Sequence, residues 1–503
     1  MGLDPRTPVV VGVGQLTERP GHDGAGGPEP VEMMAAVLRA AAEDCGHPAL
    51  LERVGRLAVV SSLSWRPPNP PLGVAQRLGL DPAELVLSTT GGNAPQSLMS
   101  AAAGAIARGE HEVVAVTGAE RVYTLTGRRR SGSERPTFAE QPADTTLPES
   151  FGVDHPPATD LETARGLHLP VQAYPLFENA LRHAAGWSLE DHRQRLGRLW
   201  ASFSEVAATN PYAWLPTAFS ADELVTPSPK NRPVAFPYTK LCTANLQVDQ
   251  AAAFICCSVE AARSAGVAPE RWVFPLAGAD ANDHWFLSER ADLHSSPAIR
   301  LAGRRTFELA GVGVDDVGAV DLYSCFPSVV RIGATELGLP VDDPSRPLTV
   351  TGGLTFAGGP GNNYVSHSIA TMVERLRAMP GAVGLVTALG WYATKHAIGL
   401  YASRPPVDEG RGGYRWEDVQ AEVDARPKRR WDAEATGPVR IESYTVTYDR
   451  DGVPELGIVV ARTADDVRAW GNVRDPGELE TLVTSEGCGR PATLDAEGVV
   501  HLI

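Results

Sequence analysis

Two glycine-rich stretches indicate the fold of this chain: Thr-Thr-Gly-Gly-Asn-Ala-Pro-Gln (Thr89–Gln96) and Gly-Gly-Leu-Thr-Phe-Ala-Gly-Gly-Pro-Gly-Asn-Asn (Gly352–Asn363). Each is followed by a helical segment and then by an apolar run, Glu112–Gly118 after the first and Ala382–Gly390 after the second. The repeated order of loop, helix and strand predicts a duplicated α/β half. Such loops direct backbone N–H groups and a helix dipole at a carbonyl or phosphate oxygen.

The alternation of strands and helices continues on both sides of these loops. Strand-like runs at Pro8–Gly14 and Asp249–Ser258 belong to the first half, and the alternation resumes near Arg271. Alternating elements of this kind predict parallel sheets that are buried on both faces. The proline-rich stretch Arg66–Pro71 predicts a rigid, non-helical turn. The polar composition from Arg128 to Pro170 predicts a long loop excursion.

The end of the chain changes to a period of two residues. Val439–Tyr448 and Leu456–Ala461 alternate around an Asp449–Gly452 turn, which predicts a β-hairpin in a small all-β, barrel-like domain. The predicted domains are an N-terminal half over 1–265 with a loop region at 121–235, a C-terminal half over 266–405, and an OB-like β-domain over 415–503.

The composition restricts the classes of partner. The chain has 503 residues and a formal net charge of −16, which argues against nucleic acid because phosphate binding needs a basic surface. No apolar segment has the length of a signal peptide or a membrane span. The six cysteines have no C-x-x-C spacing, which predicts reduced thiols and no metal site. We therefore expect a cytoplasmic protein with no membrane partner.

Two basic clusters, Arg128–Arg130 and Lys428–Arg430, lie beside predicted loops. One interpretation is solvated loop charge. The alternative is capture of an anionic group such as a cofactor phosphate.

The order and spacing of four motifs resemble those of the thiolase superfamily, nearest the sterol-carrier-protein thiolases. Thiolases carry Cys-x-Ser-Gly, then a helix ending in Ile-x-x-Gly and a strand ending in Gly-x-Glu. Ile106–Gly109 and Gly118–Glu120 match the last two. The resemblance covers about residues 8–403 and implies a duplicated, five-layered α-β-α-β-α body. The terminal β-domain resembles that of thiolase-like proteins of type 1, which are acetyl-CoA acetyltransferase-like and have lost catalytic residues.

The same alignment of motifs implies that the usual catalytic side chains are missing here. The position of the nucleophilic cysteine falls at Gly92, and the activating histidine of the second loop is replaced by Gly359. Where sterol-carrier-type thiolases have His-Asp-Cys-Phe, this chain has Tyr323-Ser-Cys-Phe326. Thiolysis needs a thiolate and a base, so we expect reduced or absent thiolysis. Backbone donors at the two loops are still expected to stabilise an enolate or thioester oxygen.

Several side chains remain candidates for a site. Tyr323 is interpreted as a donor to an oxyanion or as a packed core tyrosine, and Cys325 as an acid/base thiol or an inert buried one. His367 and His396 are each interpreted as cavity residues or as satisfied structural histidines. The candidate catalytic residues are thus Tyr323, Cys325, His396 and His367. The candidate oxyanion- or substrate-binding residues are Gly92, Asn93, Gly359, Asn363 and Tyr364.

Three functions follow from the resemblance. The first is an acyl-CoA-binding, acyltransferase-related protein of lipid metabolism, with a coenzyme A thioester as substrate or ligand and no tightly bound cofactor. Coenzyme A would then contact the arginine-containing region 121–170. The second is a lyase, because some relatives resemble retro-aldolases that split a β-hydroxyacyl-CoA, carry Tyr-x-Cys-Phe and need no covalent nucleophile. The third is a non-catalytic acyl-CoA-binding protein. The resemblance allows a homodimer or a monomer.

Overall fold

A computed structural model describes residues 3–19, 27–131, 137–405 and 413–503. The strands are β1 (Pro8–Thr17), β2 (Arg56–Val59), β3 (Glu84–Ser88), β4 (Val113–Arg121), β5 (Glu149–Phe151), β6 (Pro233–Ala235), β7 (Tyr238–Thr239), β8 (Asp249–Ser258), β9 (Phe274–Asn282), β10 (Val317–Asp321), β11 (Val383–Gly390), β12 (Lys395–Ala402), β13 (Arg415–Asp418), β14 (Gly437–Tyr448), β15 (Pro454–Thr463), β16 (Arg468–Val473), β17 (Pro491–Leu494) and β18 (Val500–Leu502).

The α-helices are α1 (Pro30–Asp44), α2 (Pro70–Leu78), α3 (Ala94–Arg108), α4 (Val122–Ser131), α5 (Asp160–Ala164), α6 (Pro170–Ala184), α7 (Leu189–Thr209), α8 (Ala221–Val225), α9 (Val259–Ala265), α10 (Pro297–Ala310), α11 (Pro327–Leu337), α12 (Gly353–Phe356), α13 (Tyr364–Arg377), α14 (Gln420–Asp424) and α15 (Pro476–Thr484). Short 3-10 helices cover Pro48–Arg53, Lys240–Cys242, Pro269–Arg271, Leu287–Glu289, Val314–Asp316 and Gly361–Asn363.

Two sheets form the body of the protein. The first has the strand order β1-β8-β4-β2-β3-β5, and the second has the order β10-β11-β12-β9-β13. Helices α3 and α13 contact strands of both sheets and form a central layer. Helix α1 packs on the outer face of the first sheet, and α10 packs on the outer face of the second. The predicted five-layered α-β-α-β-α body is therefore confirmed.

The direction of two central strands corrects the prediction of parallel sheets. Strands β4, β2, β3 and β5 pair in parallel, but β8 runs antiparallel to both β1 and β4. In the second sheet β12 is antiparallel to β11 and β9. A strand covered on both faces is apolar throughout whichever way it runs, so the sequence pattern carries no information on its direction.

Capping signals explain where the helices begin. Helix α10 covers Pro297–Ala310, and the Ser296 side chain accepts the Ile299 N–H at its start. The stretch Arg66–Pro71 is not wholly non-helical, because α2 begins at Pro70 and is capped by Asn69. Proline is tolerated in the first helical turn, where N–H groups have no helical partner. The predicted loop over 128–170 contains the end of α4, β5 and α5, and its residues 132–136 lie outside the described part.

The C-terminal residues form a third sheet with the order β16-β15-β14-β17-β18, and the β6-β7 hairpin pairs with β14. A bridge between Asn472 and Val499 brings β16 against the segment before β18, so the sheet curls into a barrel-like form. It encloses a separate hydrophobic core that includes Ile441, Tyr444 and Val459. The predicted all-β C-terminal region is confirmed, while its OB-like topology and the domain boundaries stay predictions.

Candidate functional site

The first glycine loop connects β3 to α3, and the second glycine loop supports it. Gly91 has a φ of 153°, a backbone conformation that residues with a side chain rarely adopt. The Gly91 N–H donates to Asn362 Oδ1 at 3.0 Å. Asn362 also donates to the Ser61 carbonyl oxygen at 2.8 Å. Helix α3 begins at Ala94, so the positive end of its dipole lies beside Gly92. The two loops that define the fold therefore meet in the structure.

Tyr323 occupies the space in which a side chain at Gly92 would lie. A Cβ atom built on Gly92 would overlap the Tyr323 hydroxyl, and it would lie 2.8 Å from Tyr323 Cζ and 2.5 Å from the Leu389 carbonyl oxygen. Contacts below 3.0 Å require something to move, and the Leu389 oxygen belongs to the backbone of β11. The phenol thus fills the position of the nucleophile that the resemblance implies is missing.

The environment of Tyr323 keeps its hydroxyl protonated. The residue follows β10, is 8% exposed, and its N–H donates to Thr387 Oγ1 at 2.8 Å. Its ring meets that of Tyr364 edge-on, with 5.6 Å between the centroids. Burial, reinforced by the nearby Cys325, raises the pKa of the phenol well above its ordinary value. At neutral pH the group can donate a hydrogen bond and cannot act as a base.

Cys325 is a buried thiol beside Tyr174 of α6. Burial raises the pKa of the Cys325 thiol to about 12, so it is not a thiolate at neutral pH. The Tyr174 hydroxyl donates to the Trp391 carbonyl oxygen at 2.7 Å and accepts the Ala393 N–H at 3.1 Å. The Tyr174 ring stacks on Phe326 at 4.4 Å. Tyr174 therefore joins the loop that carries Tyr323 and Cys325 to the turn between β11 and β12.

The candidate donors of the second glycine loop are already used within the protein. The Gly359 N–H donates to the Asn245 carbonyl oxygen at 3.0 Å. Asn363 donates to the Gly118 carbonyl oxygen at 2.7 Å and accepts from the Ser366 hydroxyl at 2.7 Å. These bonds brace α13 against the first sheet. The expected oxyanion role of Gly359 and Asn363 would require one of them to break.

Tyr364 belongs to a buried network below the second loop. Its hydroxyl donates to Asp321 Oδ1 at 2.9 Å and lies 2.6 Å from Thr351 Oγ1. Asp321 also accepts the N–H of Val350 at 3.0 Å. Burial raises the pKa of Tyr364 well above its ordinary value, and the neighbouring Asp321 adds to the shift. These contacts give Tyr364 a structural function beside the site.

The structure places the His367 ring against β1. Its Nδ1 lies 3.0 Å from Gln15 Oε1 on β1, and among the described residues its Nε2 has no hydrogen-bond partner. Burial lowers the pKa of His367 to about 3. The ring is therefore neutral and lies in the central layer against the first sheet.

His396 is the second residue of β12, directly after the turn that connects β11 to β12. Its Nε2 lies 3.1 Å from the Ala393 carbonyl oxygen and 3.3 Å from Asp283 Oδ2. Burial alone would raise the pKa of Asp283, but the hydrogen bond and charge of His396, with help from Arg290, lower it. Asp283 also accepts the Ser296 hydroxyl at 2.5 Å. His396 is thus held in a fixed orientation by groups of the second sheet.

The turn before His396 has a strained backbone. Trp391 and Ala393 have φ values of 56° and 51°, although neither is glycine. Such conformations cost of order 1–3 kcal/mol each and persist only where neighbouring groups hold them. Here Tyr174 binds both residues, and the Thr394 N–H donates to the Gly390 carbonyl oxygen at 3.1 Å. Strain of this kind is concentrated at functional sites.

A cavity of about 160 Å³ adjoins the first glycine loop. Lys395 lies at its wall, donates to the Thr90 carbonyl oxygen at 2.7 Å and to that of Val153, and is flanked by the indoles of Trp285 and Trp391. Burial lowers the pKa of Lys395. The cavity is lined by Thr89, Asn93, Ala94, Ser97, Phe151, Gly152, Val153, Asp280, Ala281, Asn282, Lys395, His396, Trp416 and Asp418.

Asp280 is a half-buried acid at the wall of this cavity. It accepts the Trp416 indole N–H at 2.7 Å and the Ser97 hydroxyl. Burial raises the pKa of Asp280 to about 6. Sequence reasoning missed both Asp280 and Tyr174, since each lies in an ordinary strand or helix with no motif around it. Of the predicted residues, the structure brings Gly92, Asn93, Tyr323, Cys325 and His396 around the loop and the turn.

The metal-site and basic-cluster predictions can be examined in the described ranges. In the described ranges, no group of three or more His, Cys, Asp or Glu side chains could hold a metal ion. Lys428 pairs with Glu289 at 3.1 Å and Arg429 with Asp466 at 2.6 Å, so two side chains of the cluster Lys428–Arg430 are in ion pairs. The side chains of the other cluster, 128–130, lie outside the described part of the chain. No helix among the described residues is long and apolar enough to cross a membrane.

Comparison with known proteins places this geometry in a family. Residues 418–498 match the family described as thiolase-like protein type 1 additional C-terminal domain. A monomeric SCP2-thiolase like protein type 1 from Mycobacterium smegmatis is 36% identical, with a TM-score of 0.83 over 100% of both chains. A comparison with curated protein sequences gives no match.

Two more distant structures share the fold. The Ltp2-ChsH2(DUF35) aldolase is 20% identical, with a TM-score of 0.60 over 80% of this chain and 99% of that one. An acetyl-CoA acetyltransferase from Syntrophomonas wolfei is 15% identical, with a TM-score of 0.58 over 80% of this chain and 100% of that one. These likenesses concern the thiolase fold, whereas the full-length identity of 36% and the matched C-terminal domain show that the chain belongs to the SCP2-thiolase-like protein type 1 family.

Proposed function

We propose that this protein binds an acyl-CoA thioester beside the first glycine loop and performs neither thiolysis nor Claisen condensation. The observation that carries the proposal is the Tyr323 phenol, which fills the space of a nucleophile at Gly92. A covalent acyl-enzyme needs a side chain at that position, and glycine has none. The Leu389 carbonyl oxygen would lie 2.5 Å from any Cβ there, so restoring a cysteine would also require the backbone to shift.

Acid–base chemistry at the remaining candidates supports the same proposal. Thiolysis requires a thiolate and a base, whereas the pKa of the Cys325 thiol is raised to about 12 by burial. The pKa of His367 is lowered to about 3 by burial, and its ring is bonded to Gln15 on β1. Neither group can activate a second thiol at neutral pH.

Hydrogen-bond donors for a thioester oxygen remain at the loop. The Tyr323 hydroxyl stays protonated, and among the described residues the Gly92 N–H makes no hydrogen bond. The start of α3 adds the positive end of a helix dipole. Cavities of about 150 Å³ hold a molecule the size of benzene, so the 160 Å³ beside the loop suits a short acyl group of roughly six non-hydrogen atoms.

A lyase is the second candidate, and the observation that favours it is the proximity of the Tyr323 and Cys325 side chains. Retro-aldol cleavage of a β-hydroxyacyl-CoA needs no covalent nucleophile, but it needs a base for the β-hydroxyl group. Burial raises the pKa of both residues, so both are donors rather than bases at neutral pH. Binding without turnover therefore fits these groups better.

Calorimetry with acetyl-CoA, acetoacetyl-CoA and free coenzyme A tests the proposal, with mass spectrometry of each mixture for products. We expect thioester binding and no turnover. Tyr323→Phe should weaken thioester binding roughly 2- to 13-fold, the value of one uncharged hydrogen bond, and should leave free coenzyme A unaffected. Tyr448→Phe, on β14, is the control and should change neither the affinity for the thioester nor that for free coenzyme A. Detection of thiolysis products would refute the proposal. The absence of thioester binding at an acyl-CoA concentration of about 1 mM would also refute it, because affinities weaker than this are too low to matter.

We further propose that the protein is a cytoplasmic monomer that acts in lipid metabolism. The relative from Mycobacterium smegmatis is described as monomeric, which supports this oligomeric state. Sedimentation equilibrium should give the mass of one chain, and a concentration-independent dimer would contradict it.

A further inference from the structure

We propose that the C-terminal β-domain positions the candidate site through Arg468, which acts on the site by way of Arg290 and Thr394. This inference rests on the acyl-CoA-binding function proposed above. It assigns a function to the sheet of strands β14–β18, none of whose described side chains lines the cavity beside the first glycine loop.

Arg468 is a fully buried cation on β16 that binds a segment of the thiolase body. Its Nη1 donates to the carbonyl oxygens of Leu287 and Arg290, each at 2.6 Å. Its Nε and Nη2 form a bidentate pair with Glu442 at 2.9 and 2.7 Å. A buried guanidinium is tolerated only when its donors are satisfied in this way, so the arrangement constrains the body segment strongly.

A second contact from the same strand reaches the same segment. The Trp470 indole N–H donates to Ser288 Oγ at 2.9 Å. Ser288 donates in turn to Glu162 Oε1 at 2.7 Å, and Glu162 is fully buried. Strand β16 thus binds the 3-10 helix Leu287–Glu289 through two alternate residues, Arg468 and Trp470.

The bound segment leads directly to the strained turn at the site. Arg290 Nη2 donates to Thr394 Oγ1 at 3.0 Å, and its Nε donates to the His284 carbonyl oxygen at 3.1 Å. Thr394 closes the turn that contains Trp391 and Ala393, and Lys395 and His396 follow it on the cavity wall. A chain of two arginines therefore connects the β-domain to the residues beside the thioester position.

The strain of the turn makes this connection consequential. Residues with a left-handed backbone keep that conformation only while their surroundings hold it. Loss of the Arg468 contacts would free the carbonyl groups of 287–290, and the Arg290 guanidinium would lose its fixed position against Thr394. The turn would then keep its Tyr174 contacts but lose its restraint at Thr394. Lys395 and His396, which follow Thr394, would be positioned less rigidly at the cavity.

The test compares Arg468→Met/Glu442→Gln, which removes both charges of the buried pair, with Arg462→Met. Arg462 is the matched control because it lies 3.5 Å from the same Glu442 but is 40% exposed. Hydrogen exchange should become roughly tenfold faster in residues 387–398 of the double variant and stay unchanged in α3. Acetyl-CoA affinity should fall about 2- to 13-fold, as for loss of one uncharged hydrogen bond at the cavity. The control should behave as the unsubstituted protein.

Thr394→Val tests the far end of the connection if the double variant does not fold. It removes the acceptor of Arg290 with little change of volume, and it should speed exchange in 387–398 in the same way. Unchanged exchange in 387–398 in both variants, or in the one that folds, would overturn the inference. If the unsubstituted protein binds no acetyl-CoA, the proposed function fails, but the exchange pattern still decides whether Arg468 positions the turn.

Discussion

Replacing Gly92 by alanine is the most direct test of how Tyr323 fills the site. The added methyl group would overlap the Tyr323 hydroxyl and lie 2.8 Å from Cζ of the same ring. It would also lie 2.5 Å from the Leu389 carbonyl oxygen. Because that oxygen belongs to a central strand, the loop itself must move to make room.

The size of the effect follows from overpacking a buried site. Inserting a methyl group into a well-packed core destabilises proteins by about 1–3 kcal/mol, and the backbone contact places Gly92→Ala at the upper end. Tyr323→Phe removes the hydroxyl contact but leaves the ring carbon and Leu389 in place. The double variant should therefore recover part of the loss, with a coupling energy of about 0.5–3 kcal/mol between the two positions.

Urea unfolding followed by tryptophan fluorescence measures these differences, provided the variants share the slope of the unsubstituted protein. Gly127→Ala in α4 is the matched control, because none of the atoms in the described part of the chain lies within 4 Å of a Cβ built there. It should be neutral or stabilise by up to about 1 kcal/mol, since alanine is preferred to glycine in a helix. A loss below about 0.5 kcal/mol for Gly92→Ala, or no relief from Tyr323→Phe, would refute the reasoning.

Three further predictions concern titratable groups with shifted pKa values. Cys325 should resist iodoacetamide at pH 8 in the folded protein and react after unfolding in urea, as read by mass spectrometry, because burial raises its pKa to about 12. Burial lowers the pKa of His367 to about 3, so only the unfolded state gains a proton as the pH falls from 6.5 towards 3. The free energy of unfolding should therefore drop by up to about 1.4 kcal/mol per pH unit because of this group. His367→Gln should reduce that pH dependence, as measured by urea unfolding at pH 7 and pH 5. Burial raises the pKa of Asp280 to about 6, so the folded state loses stability as the pH rises from 4 through 6; Asp280→Asn should stabilise at pH 8 and have little effect near pH 4, and equal effects at both pH values would contradict this.

The motifs predicted part of the site from sequence alone. Gly92 and Tyr323 belong to motifs from the two halves of the chain, and the resemblance assigned both to one site; the structure places the phenol against the glycine. His367 was a reasonable candidate by its spacing from Gly359. Helical spacing gives a distance along the chain, however, and not the direction in which the ring points. Its contact with Gln15 could only be seen in the tertiary structure.

Backbone donors show the same limit. The sequence predicted N–H groups at both glycine loops, because glycine-rich turns before helices usually expose them. It could not predict that Asn245 accepts the N–H of Gly359 and that Asn362 accepts the N–H of Gly91. Those acceptors come from distant segments, so no local pattern reports them.

By itself, the sequence determined the duplicated α/β body, the positions of the glycine loops and the all-β character of the C-terminal region. These features depend on periodicity and on glycine and proline punctuation, which are local properties of the chain. Only the tertiary structure decided the directions of β8 and β12, the seating of Tyr323 against Gly92, and the link from Arg468 to Thr394. Each of these depends on which distant atoms share a small volume, and a hydrophobic pattern records that a residue is buried but not what it is buried against.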